Sequence, residues 1–154
     1  MTFLNTVRSK ESYFESIEIQ SKSSKIHKIR TYEQFDKFSK SKFKVSLEEM
    51  IDELLKQKPI DMNQNTCDVF QQWINSLVKS GKAPATIITV VSHMKQYFNY
   101  RGIKLTTSDM NSVNMPKKLK EEKYPLTKEE IRTILDNSSY QRKTLYLTLT
   151  GSLI

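Results

Sequence analysis

The apolar residues of this chain recur every three or four positions along almost its whole length, and this spacing limits the possible fold more than any other feature. Side chains at that spacing share one face of an α-helix, whereas a half-buried strand alternates apolar and polar residues. Glycine occurs three times and proline four times in 154 residues, so few positions favour the tight turns of a sheet. The sequence therefore predicts an all-α protein.

Four helices are predicted between residues 24 and 114. Ser24 is expected to cap the first helix, which ends near Lys42. Ser46 and Glu49 form a capping box before the second helix, and Pro59 is expected to stop it. The first two helices are therefore predicted from signals at both of their ends.

A polar loop is expected to precede the third helix, whose apolar stripe begins at Val69 and ends before Gly81. Gly81 is suited to a left-handed C-terminal cap. The fourth helix is predicted from Pro84, which suits a first helical turn, to Gly102. Together the four stripes predict one helical bundle.

The remaining segments divide the chain further. Residues 1–23 carry apolar side chains without a clean period and are interpreted as an N-terminal arm. Residues 115–125 are charged, contain two prolines and are typical of an interdomain linker. Thr127 and Glu130 then form a capping box, and an apolar segment covers residues 140–154. Residues 126–154 are expected to be the truncated start of a second domain.

Positive charge dominates the chain, with a formal net charge of +8 and a pI of about 9.5. No Asp or Glu occurs in the forty residues between Asp68 and Asp109, where the average composition would place about four. A second basic run, residues 22–44, has eight Lys or Arg against Glu33 and Asp36. Such a surface favours double-stranded DNA as the partner, with an anionic membrane second.

Other classes of function are disfavoured. No apolar run approaches the roughly 18 residues of a membrane span, and residues 1–16 lack a signal-peptide core, so a cytoplasmic protein is expected. Cys67 is the only cysteine, which excludes an intramolecular disulfide and a thiolate metal cluster. His27 and His93 lack Cys or Glu at ligand spacing. No metal, cofactor or small-molecule substrate is therefore predicted.

The charged linker is followed by the stretch YPLTKEEIRTILDN and then by the stretch RKTLYLTLTGSLI. With the four-helix basic domain before them, these segments resemble the tyrosine recombinase family, the phage-type integrases, especially its archaeal members. The resemblance covers residues 24–154 and is most specific at residues 124–135, where the leucine-threonine-acidic pattern opens the family's catalytic domain. It implies a SAM-like core-binding domain of four helices, followed by a linker and a fragment of the catalytic domain.

The resemblance also implies which chemistry this polypeptide lacks. In the family, a glycine is followed two residues later by the first catalytic arginine, whereas Gly151 is followed at that position by Leu153. The family's later lysine, histidines, second arginine and nucleophilic tyrosine match no residue of this chain. The implied role is DNA binding in integration or recombination without strand cleavage. Two alternatives stay open: part of a full-length active recombinase, or a helical protein-interaction adaptor.

In the resembled family, the second and fourth helices of the bundle enter successive major grooves. Cationic side chains would then neutralise phosphates, and short polar ones would reach base edges. A full-length recombinase or a second copy of this chain is a further possible partner. The predicted DNA-binding residues are Lys25, Lys28, Lys42, Lys44, Lys79, Lys82, Thr86, Thr89, Ser92, His93, Lys95, Gln96, Arg101 and Lys104.

Overall fold

The computed structural model describes residues 7–117 and 127–137, and the chain divides into two compact units, Met1–Leu119 and Lys120–Ile154. Every regular element in the described ranges is an α-helix, so the all-α prediction is confirmed. The first unit contains α1 (Lys10–Ser16), α2 (Lys22–Phe43), α3 (Leu47–Leu55), α4 (Pro59–Lys79), α5 (Pro84–Arg101) and α6 (Thr107–Asn111). The second unit contains α7 (Lys128–Asp136).

Aromatic side chains from three helices form the centre of the first unit. Phe35 of α2 is fully buried, and its ring centroid lies 4.8 Å from that of Trp73 on α4 and 5.7 Å from that of Phe98 on α5. Phe70 of α4 lies 5.1 Å from Phe98. Edge-to-face and tilted pairs of this kind add about 1 kcal/mol each to the burial of apolar area. They hold α2 and α5 side by side.

Local signals set most of the helix ends. The Ser46 and Glu49 capping box is present at the start of α3. Gly81 and Gly102 adopt left-handed φ values of 82° and 109°, which glycine adopts without a steric penalty. Beyond them, the Lys82 N–H donates to the Leu77 carbonyl at 3.2 Å and the Ile103 N–H to the Phe98 carbonyl at 2.9 Å. Both ends are Schellman motifs, so the left-handed cap predicted at Gly81 and the helix end predicted at Gly102 are confirmed.

The N-terminal segment differs from the predicted arm. Residues 10–16 form α1, and Tyr13 and Ile17 are buried in the core with exposures of 6% and 3%. Helix α2 begins at Lys22, and the Ser21 hydroxyl rather than that of Ser24 caps it by accepting from the Ser24 N–H at 3.3 Å. The predicted boundary at residue 23 therefore falls inside α2.

Two further differences concern the joints between helices. Pro59 not only follows the end of α3 but is the first residue of α4, so the expected polar loop is helical. Proline suits that position because it lacks an N–H and has a fixed φ. After α5, a capping box of Thr106 and Asp109 begins the short α6. Ile103 and Val113, on either side of α6, are both buried.

In the second unit, α7 begins at the predicted capping box of Thr127 and Glu130. Residues 118–126, which include most of the predicted linker, lie outside the described residues. The same holds for residues 138–154, which include the predicted apolar segment. In the part of the chain that the structure describes, no helix is long and apolar enough to span a bilayer.

Candidate nucleic-acid interface

Helix α5 presents a row of uncharged polar side chains on its outer surface. The row consists of Thr89, Ser92, Gln96 and Asn99, all exposed and spaced three or four residues apart. The opposite side of the helix is buried at positions such as Ile87, Val91 and Met94. Because residues at these spacings share a helix face, the four polar side chains form one continuous strip, called here the α5 face.

A cleft between α2 and α5 borders this face. It comprises two adjoining cavities of about 200 and 310 Å³. Neither cavity is lined by an acidic side chain of the residues that the structure describes. The lining polar residues are His27, Arg30, Thr31 and Gln34 from α2, Lys82 before α5, and Thr86, Thr89 and His93 from α5.

The cleft is cationic because its charges are not compensated. Arg30 and Lys82 make no ion pair with any described residue. Lys28 lies close enough to His93 to affect its titration. Positive charges gathered without acids produce a potential that attracts polyanions.

The pKa of His93 is affected by the same positive charges. Burial lowers the pKa of its imidazole, and the nearby charges of Lys28 and His27 lower it further. Its Nδ1 atom is buried and has no hydrogen-bond partner among the described residues. A buried polar atom without a partner is uncommon in proteins.

Lys95 lies beside the other edge of the α5 face. It is half-buried and lies two residues after His93, on the opposite side of the helix. Burial raises the pKa of the Cys67 thiol on α4, and the Lys95 charge partly opposes this rise. The uncharged α5 face is therefore flanked by cationic side chains on both edges.

Arg101 is not part of this surface, contrary to its predicted role as a DNA contact. Its side chain is only 9% exposed and forms ion pairs with Glu48 and, at 3.3 Å, with Asp52 of α3. It also donates to the Tyr97 hydroxyl at 3.1 Å. These ion pairs link α5 to α3, so the charge of Arg101 is compensated within the protein.

Four of the other predicted cations lie away from the cleft. Lys25 is neutralised by an ion pair with Glu18. Lys42 and Lys44 are exposed at the end of α2, where the Lys44 Nζ donates to the Ser41 carbonyl at 3.1 Å. Lys104 is exposed after α5. Lys79, also exposed, ends α4 three residues before Lys82 of the cleft.

Helix α3, the second helix predicted from sequence, does not have a surface suited to a DNA groove. Its exposed residues include Glu49, Asp52 and Glu53, whose carboxylates would be repelled by phosphates. The helix that shares a cationic surface with α5 is α2. The entry of the second and fourth helices into successive grooves stays a prediction, and the acidic surface of α3 does not favour it for the second helix.

Some residues of this surface escaped the sequence analysis. Arg30 and Gln34 are one helical turn apart on α2, and His27 is one turn before Arg30, so spacing alone places them on one face. The sequence contained that signal but not the pairing of this face with α5. Asn99 extends the α5 face by the same rule.

The two histidines, far apart in sequence, both line the cleft. Among the described residues, no group of three or more His, Cys, Asp or Glu side chains could hold a metal ion.

Comparison of the chain with protein-family models, curated proteins and solved structures gives no match. Its function is therefore argued from the charge and geometry of this surface.

Proposed function

We propose that the chain binds double-stranded DNA, with the α5 face towards the major groove and the cations of the α2–α5 cleft on the phosphate backbone. The observation that carries this proposal is the polar strip on α5, which borders an acid-free cleft containing Arg30 and Lys82. The acidic side chains of α3 are exposed on a different helix. One side of the unit thus favours polyanions.

The side chains of the α5 face have the chemistry for reading bases. An α-helix fits the major groove of B-form DNA, and short or planar polar groups there can reach base edges. Gln96 and Asn99 each carry an amide that can bond adenine in a bidentate manner. Lysine and arginine at the borders would supply the contacts that fix position without reading sequence.

We further infer that this surface serves DNA integration or recombination, as the core-binding module of a tyrosine recombinase. The residue pattern at positions 124–135 supports this, and the capped helix α7 that follows Thr127 agrees with it. We also propose that this polypeptide holds DNA without cutting it. Covalent phosphoryl transfer needs several donors converging on one phosphate beside a positioned nucleophile, and Leu153 occupies the position of the family's first catalytic arginine.

Salt-dependent binding to a fluorescent duplex tests the DNA proposal. Four phosphate contacts would lower the affinity roughly 100-fold between 50 and 200 mM salt, because bound cations displace counterions. Ser92→Glu places an acid in the middle of the α5 face and should weaken binding by about tenfold or more, as anisotropy titration would measure.

Gln72→Glu is the matched control, since Gln72 is exposed on α4 and the change in charge is the same. Its affinity should stay close to that of the unchanged protein. No binding to duplex at 50 mM salt would refute the proposal and favour the adaptor alternative. Equal losses in the two variants would show that α5 is not the contacting face.

A further inference from the structure

The geometry points to a phosphate-binding subsite in the cavity of the α2–α5 cleft that Arg30, Lys82 and Thr86 line, with His27 on the same wall and His93 in the adjoining cavity. This inference deepens the proposed function and rests on it for the source of the ligand, a backbone phosphate of DNA. Inorganic phosphate shares the chemistry and serves as the probe. The subsite itself depends only on the cleft.

The size of the cavity fits such a group. The part lined by Arg30, Lys82 and Thr86 has a volume of about 200 Å³, several times the roughly 30 Å³ that one water molecule occupies in the liquid. A tetrahedral phosphate with part of its hydration shell can therefore enter. Leu77, Ile87 and Val90 form the apolar part of the wall and reduce the access of solvent to the bound charge.

The two cations are complementary in form. The guanidinium of Arg30 is a planar fork that can bond two phosphate oxygens at once, whereas Lys82 offers a compact charge on a flexible stem. Both side chains line the same cavity, and neither is paired with an acid of the described residues. Charge-assisted bonds from such groups are about twice as strong as neutral ones.

The start of α5 adds a third contribution on the same wall. Ala83 is the N-cap residue, and no side chain of the described residues caps the helix there, so the first N–H groups of α5 lack a side-chain acceptor at the positive end of the helix dipole. Lys82 and Thr86, on either side of this turn, both line the cavity. A phosphate in the cleft would thus meet the helix end as well as the two cations.

The surroundings of His93, in the adjoining cavity, are also favourable to an anion. Its Nδ1 is buried without a partner, and the charged or titratable groups around it are His27 and Lys28 of α2, with Arg30 and Lys82 further along the cleft. Every one of these groups is cationic or can become so. A bound phosphate would reverse the field and favour the protonated imidazole.

Because the chain has only two histidines, NMR of the imidazole Cε1–H groups reports on the cleft directly. Inorganic phosphate should be titrated against chloride at constant ionic strength, with the intact chain. We expect saturable shifts of the His93 resonance with phosphate alone. Bound phosphate should also raise the pKa of His93 by about one, which a pH series would measure.

The variant Arg30→Gln with Lys82→Gln removes both cations of the subsite. The matched control is Lys56→Gln with Lys58→Gln, which removes the same charge at the exposed junction of α3 and α4. Loss of the phosphate response in the first variant, with an unchanged response in the second, would support the subsite. No saturable response, or an equal response in both variants, would overturn it.

Measuring the binding of both variants to duplex DNA tests the subsite and the proposed DNA binding separately. If the chain binds duplex and the Arg30, Lys82 variant binds it at least about tenfold more weakly than the Lys56, Lys58 control, the subsite holds a backbone phosphate. Equal duplex binding by the two variants would overturn the backbone assignment while DNA binding stands. A phosphate response without duplex binding would support the subsite and refute the DNA proposal.

Discussion

Arg101 shows at the scale of one residue why a count of cations does not define a binding surface. Glu48 accepts hydrogen bonds from the hydroxyls of Tyr32, at 2.7 Å, and Tyr97, and pairs with Arg101. Burial and the neighbouring Glu48 carboxylate raise the pKa of both tyrosines, so their hydroxyls stay protonated and act as donors. Arg101 is thus part of a polar cluster that joins three helices.

Arg101→Gln should therefore affect stability more than DNA binding. The substitution leaves the Glu48 carboxylate with two tyrosine donors but no counter-charge. The Glu48 side chain is 32% exposed. The expected loss in the free energy of unfolding is therefore about 2 kcal/mol, less than the loss from breaking a fully buried ion pair. Urea denaturation measures the change in the free energy of unfolding.

Lys104→Gln is the control at this scale, because Lys104 is exposed three residues further along. Its free energy of unfolding should stay within about 0.5 kcal/mol of the unchanged protein. If Arg101→Gln were equally mild and weakened duplex binding instead, Arg101 would contact DNA as the sequence analysis expected.

At the scale of the element, α1 contributes more than its length suggests. Tyr13 lies edge-on to Tyr97 with 4.9 Å between ring centroids, and 5.3 Å from Tyr100. The Tyr100 hydroxyl donates to Ser12 Oγ at 2.8 Å, and Arg8 donates to the Tyr100 carbonyl at 3.2 Å. These contacts attach residues 8–17 to α5.

Tyr13→Ala should destabilise the first unit by about 3 kcal/mol, since it removes a buried aromatic ring and leaves a cavity. Thermal and urea denaturation followed by circular dichroism would measure the loss. Ile19→Ala is the comparison, because Ile19 is 94% exposed and its truncation removes no packing. Similar stabilities for the two variants would mean that α1 is an arm after all.

The elements that sequence predicts well are those whose signals are local. The Ser46 capping box and the glycine ends at Gly81 and Gly102 act through residues within one turn, so the pattern contains the whole cause. Helix α1 has seven residues and only one buried position within its bounds, too few to show a period. Its burial depends on Tyr97, which is far away in sequence.

The residues of the candidate site also include some that local spacing predicts and others that depend on tertiary contacts. Thr89, Ser92 and Gln96 could be placed on one face from spacing alone, and the structure brings them together. Which cations are unpaired could not be predicted, because the charges of Lys25 and Arg101 are compensated by Glu18 and Glu48 through contacts that only the fold creates. Lys82, by contrast, has no acidic partner among the described residues.

At the scale of the whole molecule, the excess charge is distributed unevenly between the two units. Residues 1–119 contain 19 of the 25 Lys and Arg and 12 of the 17 Asp and Glu, hence seven of the eight net charges. The α5 face and the α2–α5 cleft also lie wholly within this unit. Its core includes nineteen buried apolar residues, which is consistent with independent folding.

This distribution of charge predicts that residues 1–119 are sufficient for DNA binding. A fragment of residues 1–119 should bind duplex with an affinity within about threefold of the full chain, because less than 1 kcal/mol of binding energy would come from the remainder. The logarithmic salt slope should also be unchanged, since it reports the number of phosphates neutralised. Anisotropy titrations of both proteins at several salt concentrations measure both quantities, and a cooperative melt of the fragment verifies that it is folded. A folded fragment with a shallower slope and at least tenfold weaker binding would place phosphate contacts in residues 120–154, so the electrostatic surface described here would be only part of the interface.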